Sequence, residues 1–261
     1  MKIAAGIEYC GIRFSGWQRQ KHATGVQQLV ENALSYVAAE KIDVYCAGRT
    51  DTGVHALHQV IHFDTRVQRE AHSWVFGANA NMVPDVSLLW ARQVQDDFHA
   101  RYSARGRSYR YLILNRATRP GVNNGFASWE HRHLDVELMS AAAEHLIGEH
   151  DFSSFRGRGC QAKSPIREVR ELTVSRKGEY IIIDIHANAF LMHMVRNIAG
   201  VLSTIGTGKR EPEWVKEILS ARKREQGGVT APPQGLYLME IDYPDEYGIP
   251  SRTVPAWPLL I

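Results

Sequence analysis

Apolar residues recur along the chain with two periods, and the period changes from one segment to the next. Spacings of three and four predict helices, whereas alternating or short continuous apolar runs predict strands. The predicted helices cover residues 25–39, 70–78, a segment from Asp135 to Leu146, residues 189–205 and a segment from Glu211 to Leu219. The predicted strands cover residues 3–9, 44–46, 60–63, 86–94, 108–114, 169–174, 180–186 and 236–241.

Both halves of the chain mix strands with helices, which predicts an α+β fold with a largely antiparallel sheet. The Gly- and Pro-rich segment 119–125 marks a loop near the middle of the chain. We therefore expect two similar halves side by side, an N-terminal half over residues 1–115 and a C-terminal half over residues 116–261.

Composition places the chain among globular proteins and against a membrane span. It has 261 residues, of which 44% are hydrophobic, and it contains no run of 18 apolar residues. The N-terminus reaches an acid at Glu8, too early for a signal peptide. Cys10, Cys46 and Cys160 are far apart and form no Cys-x-x-Cys pair, so a reduced, cytoplasmic location is expected.

The distribution of charge is more informative than the net charge of +3. Of the 31 basic residues most are arginine, which binds phosphate bidentately and stacks on flat rings. Three segments, 98–129, 152–167 and 185–210, contain bases but no acid. The first interleaves its arginines with tyrosines: Arg101, Arg105, Arg107, Arg110, Arg116 and Arg119 with Tyr102, Tyr109 and Tyr111. Solvated faces are the simple alternative, but three such tracts favour an RNA-binding surface with arginines on the backbone.

One carboxylate stands at the tip of a tight turn that follows a predicted strand. Asp51 lies between Gly48 and Gly53 and is the only acid between Asp43 and Asp64. A turn aspartate often only caps backbone N–H groups. Arg49, two residues away, favours a second interpretation, in which the carboxylate is kept ionised in a dry pocket as a nucleophile or general base.

Other chemistries have weaker support. Asp51-Thr52-Gly53 matches the triplet of aspartic proteases, but those enzymes need two facing carboxylates, which only a dimer of this chain could supply. His55, His58 and His62 are spaced like metal ligands on a helix, yet the segment predicts a strand, so packing or surface roles are favoured and no metal is expected. Neither Gly-x-Gly-x-x-Gly nor a phosphate loop is present, and no nucleotide cofactor is expected.

Two further side chains are candidates because of their surroundings in the sequence. Tyr109, between Arg107 and Arg110, is either a buried sheet residue or a stacking ring for a base. Arg196 is the single charge in an apolar helix, so it must be paired or lie at a pocket, and Asp51 is a plausible partner.

Taken as a set, several motifs along the whole chain resemble the tRNA pseudouridine synthase A family. They are Gly16-Trp17-Gln18-Arg19-Gln20, Gly48-Arg49-Thr50-Asp51-x-Gly53-Val54-His55, Asp97-Phe98-His99-Ala100-Arg101, Tyr109-Arg110-Tyr111, Asp151-Phe152-Ser153-Ser154-Phe155, Met194-Val195-Arg196-Asn197 and Gly235-Leu236. The resemblance implies a pseudouridine synthase fold, two halves sharing a mixed sheet with a central cleft, and a homodimer that binds tRNA without a cofactor.

The resemblance also implies roles for single residues. Asp51 is the expected catalytic aspartate, Arg49 and Arg196 its partners, Tyr109 the ring on the target uridine and Leu236 part of the pocket lining. The implied targets are uridines 38, 39 and 40 of the anticodon stem-loop. Attack on C1′, addition to C6 and removal of the 2′ proton stay open for the aspartate. A non-catalytic RNA-binding protein is the alternative, and the apolar tail 254–261 is expected to dock on a partner subunit or on its own domain.

Overall fold

The computed structural model describes residues 1–251, which form ten strands and five α-helices. The predicted docking tail 254–261 lies outside the described residues. The strands are β1 (Lys2–Tyr9), β2 (Tyr45–Cys46), β3 (His55–Asp64), β4 (Val86–Val94), β5 (Gly106–Asn115), β6 (Ser128–Glu130), β7 (Gly148–Asp151), β8 (Ile166–Lys177), β9 (Tyr180–Ala187) and β10 (Leu236–Asp242). The helices are α1 (Val26–Ala38), α2 (Ala71–Ala80), α3 (Val136–Glu144), α4 (Met194–Gly206) and α5 (Trp214–Ala221).

The predicted α+β class with a mixed, largely antiparallel sheet is confirmed. The pair β5 and β6 is parallel, whereas the pairs joining β1 to β3 and β4, β2 to β3, and β9 to β5 and β8 are antiparallel. By packing, the chain divides into a first unit, Met1–Arg105 with the described residues from Leu238 onward, and a second unit, Gly106–Tyr237. The division predicted after residue 115 stays a prediction.

In the first unit, β1 lies between β3 and β4, and β2 extends the other edge of β3. Helix α2 packs on β4 and on α1. The core is apolar on both sides of β1, as its continuous apolar run predicts. Trp74 of α2 meets Phe63 of β3 edge to face, with ring centroids 5.2 Å apart, and both side chains are fully buried.

In the second unit, the antiparallel strands run in the order β5, β9, β8, β7, and α3 packs on β8 and α4. Asp135 caps α3 as predicted, because its carboxylate accepts hydrogen bonds from the N–H groups of Glu137 at 2.9 Å and Leu138 at 3.2 Å. The turn predicted at Lys177-Gly178 joins β8 to β9, with Gly178 at φ +60°.

Two predicted boundaries differ from the structure by five residues, more than any other. The helix predicted over 189–205 begins only at Met194, because His193 adopts a left-handed conformation and the carbonyl of Met192 accepts the N–H of Gly157 at 2.7 Å. The strand predicted over 60–63 begins at His55. Polar residues in the first half of this strand interrupt the apolar pattern that predicts a strand. They are nevertheless buried with hydrogen-bond partners, so the strand continues through them.

Candidate active site and nucleic-acid interface

Asp51 lies in the turn between β2 and β3, and its side chain is half-buried. The N–H of Val54 donates to the carbonyl of Asp51 at 3.1 Å, which closes the turn. Gly53 makes this possible at φ +79°, a conformation that costs side-chain-bearing residues free energy. The local sequence thus holds the carboxylate at the tip of a tight, hydrogen-bonded turn.

A second loop clamps this turn from the side. The N–H of Trp17 donates to the carbonyl of Thr50 at 3.0 Å, and the Thr50 hydroxyl lies 2.7 Å from the Tyr9 hydroxyl. Gly16 lies so close that a Cβ there would come within 2.7 Å of the Thr50 carbonyl oxygen. The Gly16-Trp17 motif therefore supports the turn beside Asp51, and the contact through Tyr9 is one that the sequence analysis misses.

The start of the turn is held by a buried amide. Gln59, fully buried in β3, accepts the N–H of Gly48 at 3.3 Å and donates to its carbonyl at 2.5 Å. The N–H of Gly11 donates to Nδ1 of His55 at 3.2 Å. These contacts fix both ends of the turn on the rigid strand β3, which is what precise placement of a catalytic carboxylate requires.

Arg49 is exposed on the same turn. Its charge acts on the Cys46 thiol. Burial raises the pKa of this thiol to about 12, and the positive charges of Arg49 and, more weakly, Arg101 act in the opposite direction. Arg49 and Arg101 thus bring two cations to one side of the first unit.

An aromatic cluster surrounds Arg101. Tyr45 stacks on His62, with centroids 5.1 Å apart, and His62 lies 4.6 Å from His99, which lies 4.3 Å from Tyr102. The Arg101 guanidinium lies 5.6 Å above the Tyr102 ring. Because Tyr45 and Tyr102 are exposed, this cluster combines a cation with accessible rings, the composition of a nucleic-acid interface.

His62 anchors this cluster to the strand. Its Nδ1 accepts the N–H of Ala100 at 3.1 Å. Burial, followed by repulsion from His99 and Lys2, lowers the His62 pKa to about 4, so the ring is neutral at pH 7. The Asp97–Arg101 motif is therefore held in place by a neutral imidazole.

In the second unit, Tyr109 lies on β5 opposite Ile185 of β9. Its side chain is 9% exposed, and its ring meets Phe190 edge to face at 5.0 Å. Tyr111, two residues on, is fully buried and donates to the carbonyl of Pro232 at 2.8 Å. Burial raises the pKa of Tyr111, although Ser128 and Arg196 act to lower it.

The arginines around Tyr109 differ in their surroundings. Arg110 is paired with Asp184 of β9 through hydrogen bonds of 2.7 and 2.9 Å, so its charge is balanced within the unit. Arg107 donates to the carbonyl of Asn188 at 3.1 Å. Arg105, at the end of the first unit, is exposed and its N–H donates to the carbonyl of Asp242 at 2.8 Å.

Arg196 lies in the first turn of α4 and is half-buried. Its Nε donates to the Ala231 carbonyl at 2.8 Å, and the N–H of Ala231 donates back to the Arg196 carbonyl at 3.0 Å. These bonds to the backbone orient the half-buried side chain of Arg196.

The neighbour of Arg196 organises the same region, which the sequence analysis does not predict. Asn197 is fully buried and donates to the Phe155 carbonyl at 2.6 Å. Its Oδ1 accepts hydrogen bonds from Thr230 at 2.6 Å and Arg224 at 3.1 Å.

Leu236, 6% exposed, begins β10 just after Gly235, whose Cα approaches the Leu112 carbonyl too closely for any side chain.

The predicted site residues fall in two groups. The first unit brings Asp51 and Arg49 onto one turn and holds Arg101 and Arg105. The second unit holds the remaining candidates, Tyr109, Arg196, Leu236, Arg107 and Arg110.

The histidines that resemble metal ligands are packing residues, as the sequence favours. His55, His58 and His62 are 3%, 1% and 3% exposed, and His58 accepts a hydrogen bond from the Trp90 indole at 3.0 Å. Within residues 1–251, no group of three or more His, Cys, Asp or Glu residues could hold a metal ion. No helix in the described part of the chain is long and apolar enough to cross a membrane.

Comparison with known proteins extends over almost the whole chain. The family model of tRNA pseudouridine synthase matches residues 5–103 and 142–244. The chain is 56% identical over 259 residues to tRNA pseudouridine synthase A of Nitrosococcus oceani, covering 98% of this chain and 100% of the relative. The protein of the same name from Vibrio campbellii is 52% identical over 261 residues, which cover 100% of this chain and 98% of the relative. The one from Coxiella burnetii is 52% identical over 260 residues, which cover 100% of this chain and 99% of the relative.

Proposed function

We propose a target and a catalytic residue set for this chain, which belongs to the tRNA pseudouridine synthase A family and is an isomerase of uridine in tRNA. The proposed targets are uridines 38, 39 and 40 of the anticodon stem-loop. The observation that carries the proposal is the match of the whole chain to this family together with an aspartate held on a rigid, glycine-shaped turn.

The reaction determines what the site has to supply. The glycosidic bond between N1 and C1′ breaks, the base turns, and C5 bonds to C1′ while the C5 proton leaves and N1 gains a proton. Electrons balance without an oxidant or a reductant. The target base must leave the helix stack to be reached, which requires stacking partners and a grip on the backbone.

In our proposal Asp51 is the catalytic aspartate, and Arg49 and Arg196 assist it at the target uridine. A carboxylate can serve this reaction by attacking C1′, by adding to C6 or by removing the 2′ proton. A substrate deuterated at C2′ distinguishes the last route from the other two, because only that route breaks the C2′ bond to hydrogen.

Tyr109 is proposed to pack on the extruded uridine and to accept the C5 proton, with Leu236 lining the pocket. The small exposed fraction of the Tyr109 side chain and its contact with Phe190 support a fixed ring. Arg101, Arg105, Arg107 and Arg110 are proposed to contact the RNA backbone, of which Arg101 has the most favourable surroundings because it lies over an exposed aromatic ring. We also expect a homodimer in the cytoplasm.

The testing experiment is tritium release from tRNA labelled at uridine C5. The parent is expected to release tritium, and Asp51→Asn is expected to lose at least about 100-fold in rate, because a catalytic proton-transfer or covalent group is removed. Asp43→Asn is the matched control, since Asp43 is an exposed acid of the same unit that pairs with Lys41. Comparable rates for Asp51→Asn and the parent would remove Asp51 from the mechanism.

The same assay addresses the alternative of an RNA-binding protein without activity, which predicts no release from any variant. Mapping pseudouridine along the product tRNA then tests the target positions. Modified residues at 38, 39 and 40 are expected, and pseudouridine elsewhere with none at these positions would contradict the proposal.

A further inference from the structure

The segment that joins β7 to β8, called here the β7–β8 loop and taken to include the first two residues of β8, is strongly basic. Residues 152–167 contain Arg156, Arg158, Lys163 and Arg167 and no acid. In the described part of the chain, none of these four side chains forms an ion pair with a carboxylate, whereas Arg110, Arg116 and Arg132 of the same unit all do. Four uncompensated cations in one loop require an explanation beyond solubility.

The loop holds two of its guanidinium groups in place through its own backbone. Arg156 donates from Nη2 to the carbonyls of Cys160 at 2.5 Å and Ala162 at 2.8 Å. Arg167 donates from Nη1 to the carbonyls of Ser164 at 3.0 Å and Ile166 at 2.5 Å. Nε of Arg167 is buried and has no hydrogen-bond partner. These bonds to backbone carbonyls fix the orientation of both guanidinium groups.

The positive charges are close enough to oppose one another. Burial, together with repulsion from Arg156 and Arg107, lowers the pKa of Arg167 against the attraction of Cys160. The strand register explains why Arg107 is near enough to repel Arg167. Arg107 of β5 and Val169 of β8 both pair with Ala187 of β9, from opposite sides. An anion at this end of the strands would relieve the repulsion.

The surroundings of Cys160 in the same loop also favour negative charge. Burial raises the pKa of its thiol, but the N–H groups of Ala162 and Met192 and the Arg156 guanidinium outweigh burial and lower it. Backbone donors and a guanidinium thus converge on one half-buried sulfur atom. The same donors suit the oxygen atoms of a phosphate.

We propose that Arg156 and Arg167, with Arg158 and Lys163 beside them, form a binding site for phosphates of the tRNA backbone. The proposal rests on tRNA being the substrate and not on the target positions or on the role of Asp51. The planar forks of two fixed guanidinium groups match phosphate geometry, and neither group is paired with a carboxylate in the described part of the chain, so their charge stays available. The site extends the RNA-binding surface beyond the arginines near Tyr109.

The salt dependence of tRNA binding tests this site. Fluorescence anisotropy of labelled tRNA over a range of KCl concentrations gives the dissociation constant and the slope of its logarithm against that of the salt. Each phosphate contact contributes about 0.7–0.9 to this slope. Arg156→Gln and Arg167→Gln are each expected to weaken binding severalfold and to lower the slope by about 1. Slopes equal to that of the parent in both variants overturn the proposal.

Two further variants make the test independent of the fold of the loop. Arg158→Ala and Lys163→Ala remove exposed side chains. Their combination is expected to lower the slope with an unchanged thermal unfolding midpoint. Arg132→Gln is the matched control for the single variants Arg156→Gln and Arg167→Gln, because it removes one positive charge that is already paired with Glu130 at 2.5 Å, and it is expected to keep the slope of the parent. An equal drop in slope for this control contradicts a localised site.

Cys160 supplies a second readout at the site itself. Its alkylation by iodoacetamide, followed by peptide mass spectrometry, is expected to slow severalfold when the parent is saturated with tRNA. An unchanged rate overturns the proposal. If the parent isomerises uridine but substitution of Arg156 and Arg167 leaves the salt-dependence slope unchanged, this phosphate site is contradicted and the proposed function is not. A changed slope without pseudouridine at 38–40 rejects only the proposed targets.

Discussion

Acid is expected to destabilise the first unit through His62, the imidazole that holds the Asp97–Arg101 motif. The ring is 3% exposed, and its Nδ1 accepts the N–H of Ala100, so protonation at Nδ1 breaks that bond and places a charge in the core. The folded-state pKa of about 4 lies below the ordinary value of 6.5. A depressed folded-state pKa means that the contribution to stability is complete above pH 6.5 and is lost as the pH falls towards 4.

The size of the effect follows from the two pKa values. A difference of about 2.5 pKa units corresponds to about 3 kcal/mol between the fully neutral and fully protonated limits. Between pH 7 and pH 5 the expected loss in free energy of unfolding is about 2 kcal/mol, because the folded-state ring is still largely neutral at pH 5 while the unfolded-state ring is protonated.

Urea unfolding at pH 7 and pH 5 measures this loss. His62→Gln, which keeps an acceptor for the Ala100 N–H, is expected to lose about 2 kcal/mol less than the parent between the two pH values. His22→Gln removes an exposed histidine of the same unit and is expected to lose as much as the parent. The same loss in His62→Gln as in the parent would refute the reasoning, whatever the absolute stability of the variant.

Three further outcomes are expected. Asn197→Ala removes three hydrogen bonds and leaves the buried Phe155 carbonyl without its donor, so it is expected to lower the free energy of unfolding in urea by about 2–4 kcal/mol. Exposed Asn81→Ala is expected to change it by less than about 0.5 kcal/mol, and equal effects would contradict this account. Gly16→Ala places a methyl group against the Thr50 carbonyl at a residue with φ +84°. It is expected to lower the free energy of unfolding by about 1–3 kcal/mol, measured by thermal unfolding, and to slow tritium release. Parental values in both measurements would show that the turn does not need this glycine. Tyr109→Phe is expected to keep tRNA affinity by anisotropy yet to stall tritium release, and full activity would remove the tyrosine as the proton acceptor.

Periodic segments of the chain were predictable because their local pattern and their tertiary environment agree. The strand over 86–94 has the predicted bounds, and α1 differs from its prediction by a single residue at each end. Segments in which polar side chains are buried were not predictable. The length of β3 depends on Gln59 and three histidines finding partners, and no pattern of hydrophobicity contains that information.

The candidate residues were likewise recognisable by chemical type before their surroundings were known. Asp51 stands out as a lone acid between glycines, and Arg196 as a lone charge in an apolar helix. Their supports did not stand out. Tyr9, Gln59 and Asn197 are ordinary residues in the sequence, and they matter only because the fold brings them to a carbonyl or a hydroxyl far along the chain.

The amino-acid sequence by itself determined the α+β class, most of the helices and strands, the lone aspartate on its turn and the acid-free basic tracts, because periodicity, turn chemistry and charge are local properties. Only the tertiary structure decided which cations keep their charge available. Arg110 and Arg156 both come from acid-free tracts, yet Asp184 of a neighbouring strand pairs with the first, while the second donates to backbone carbonyls and pairs with no carboxylate in the described part of the chain. Pairing of charges depends on distance in space, which strand register and loop packing set and composition does not.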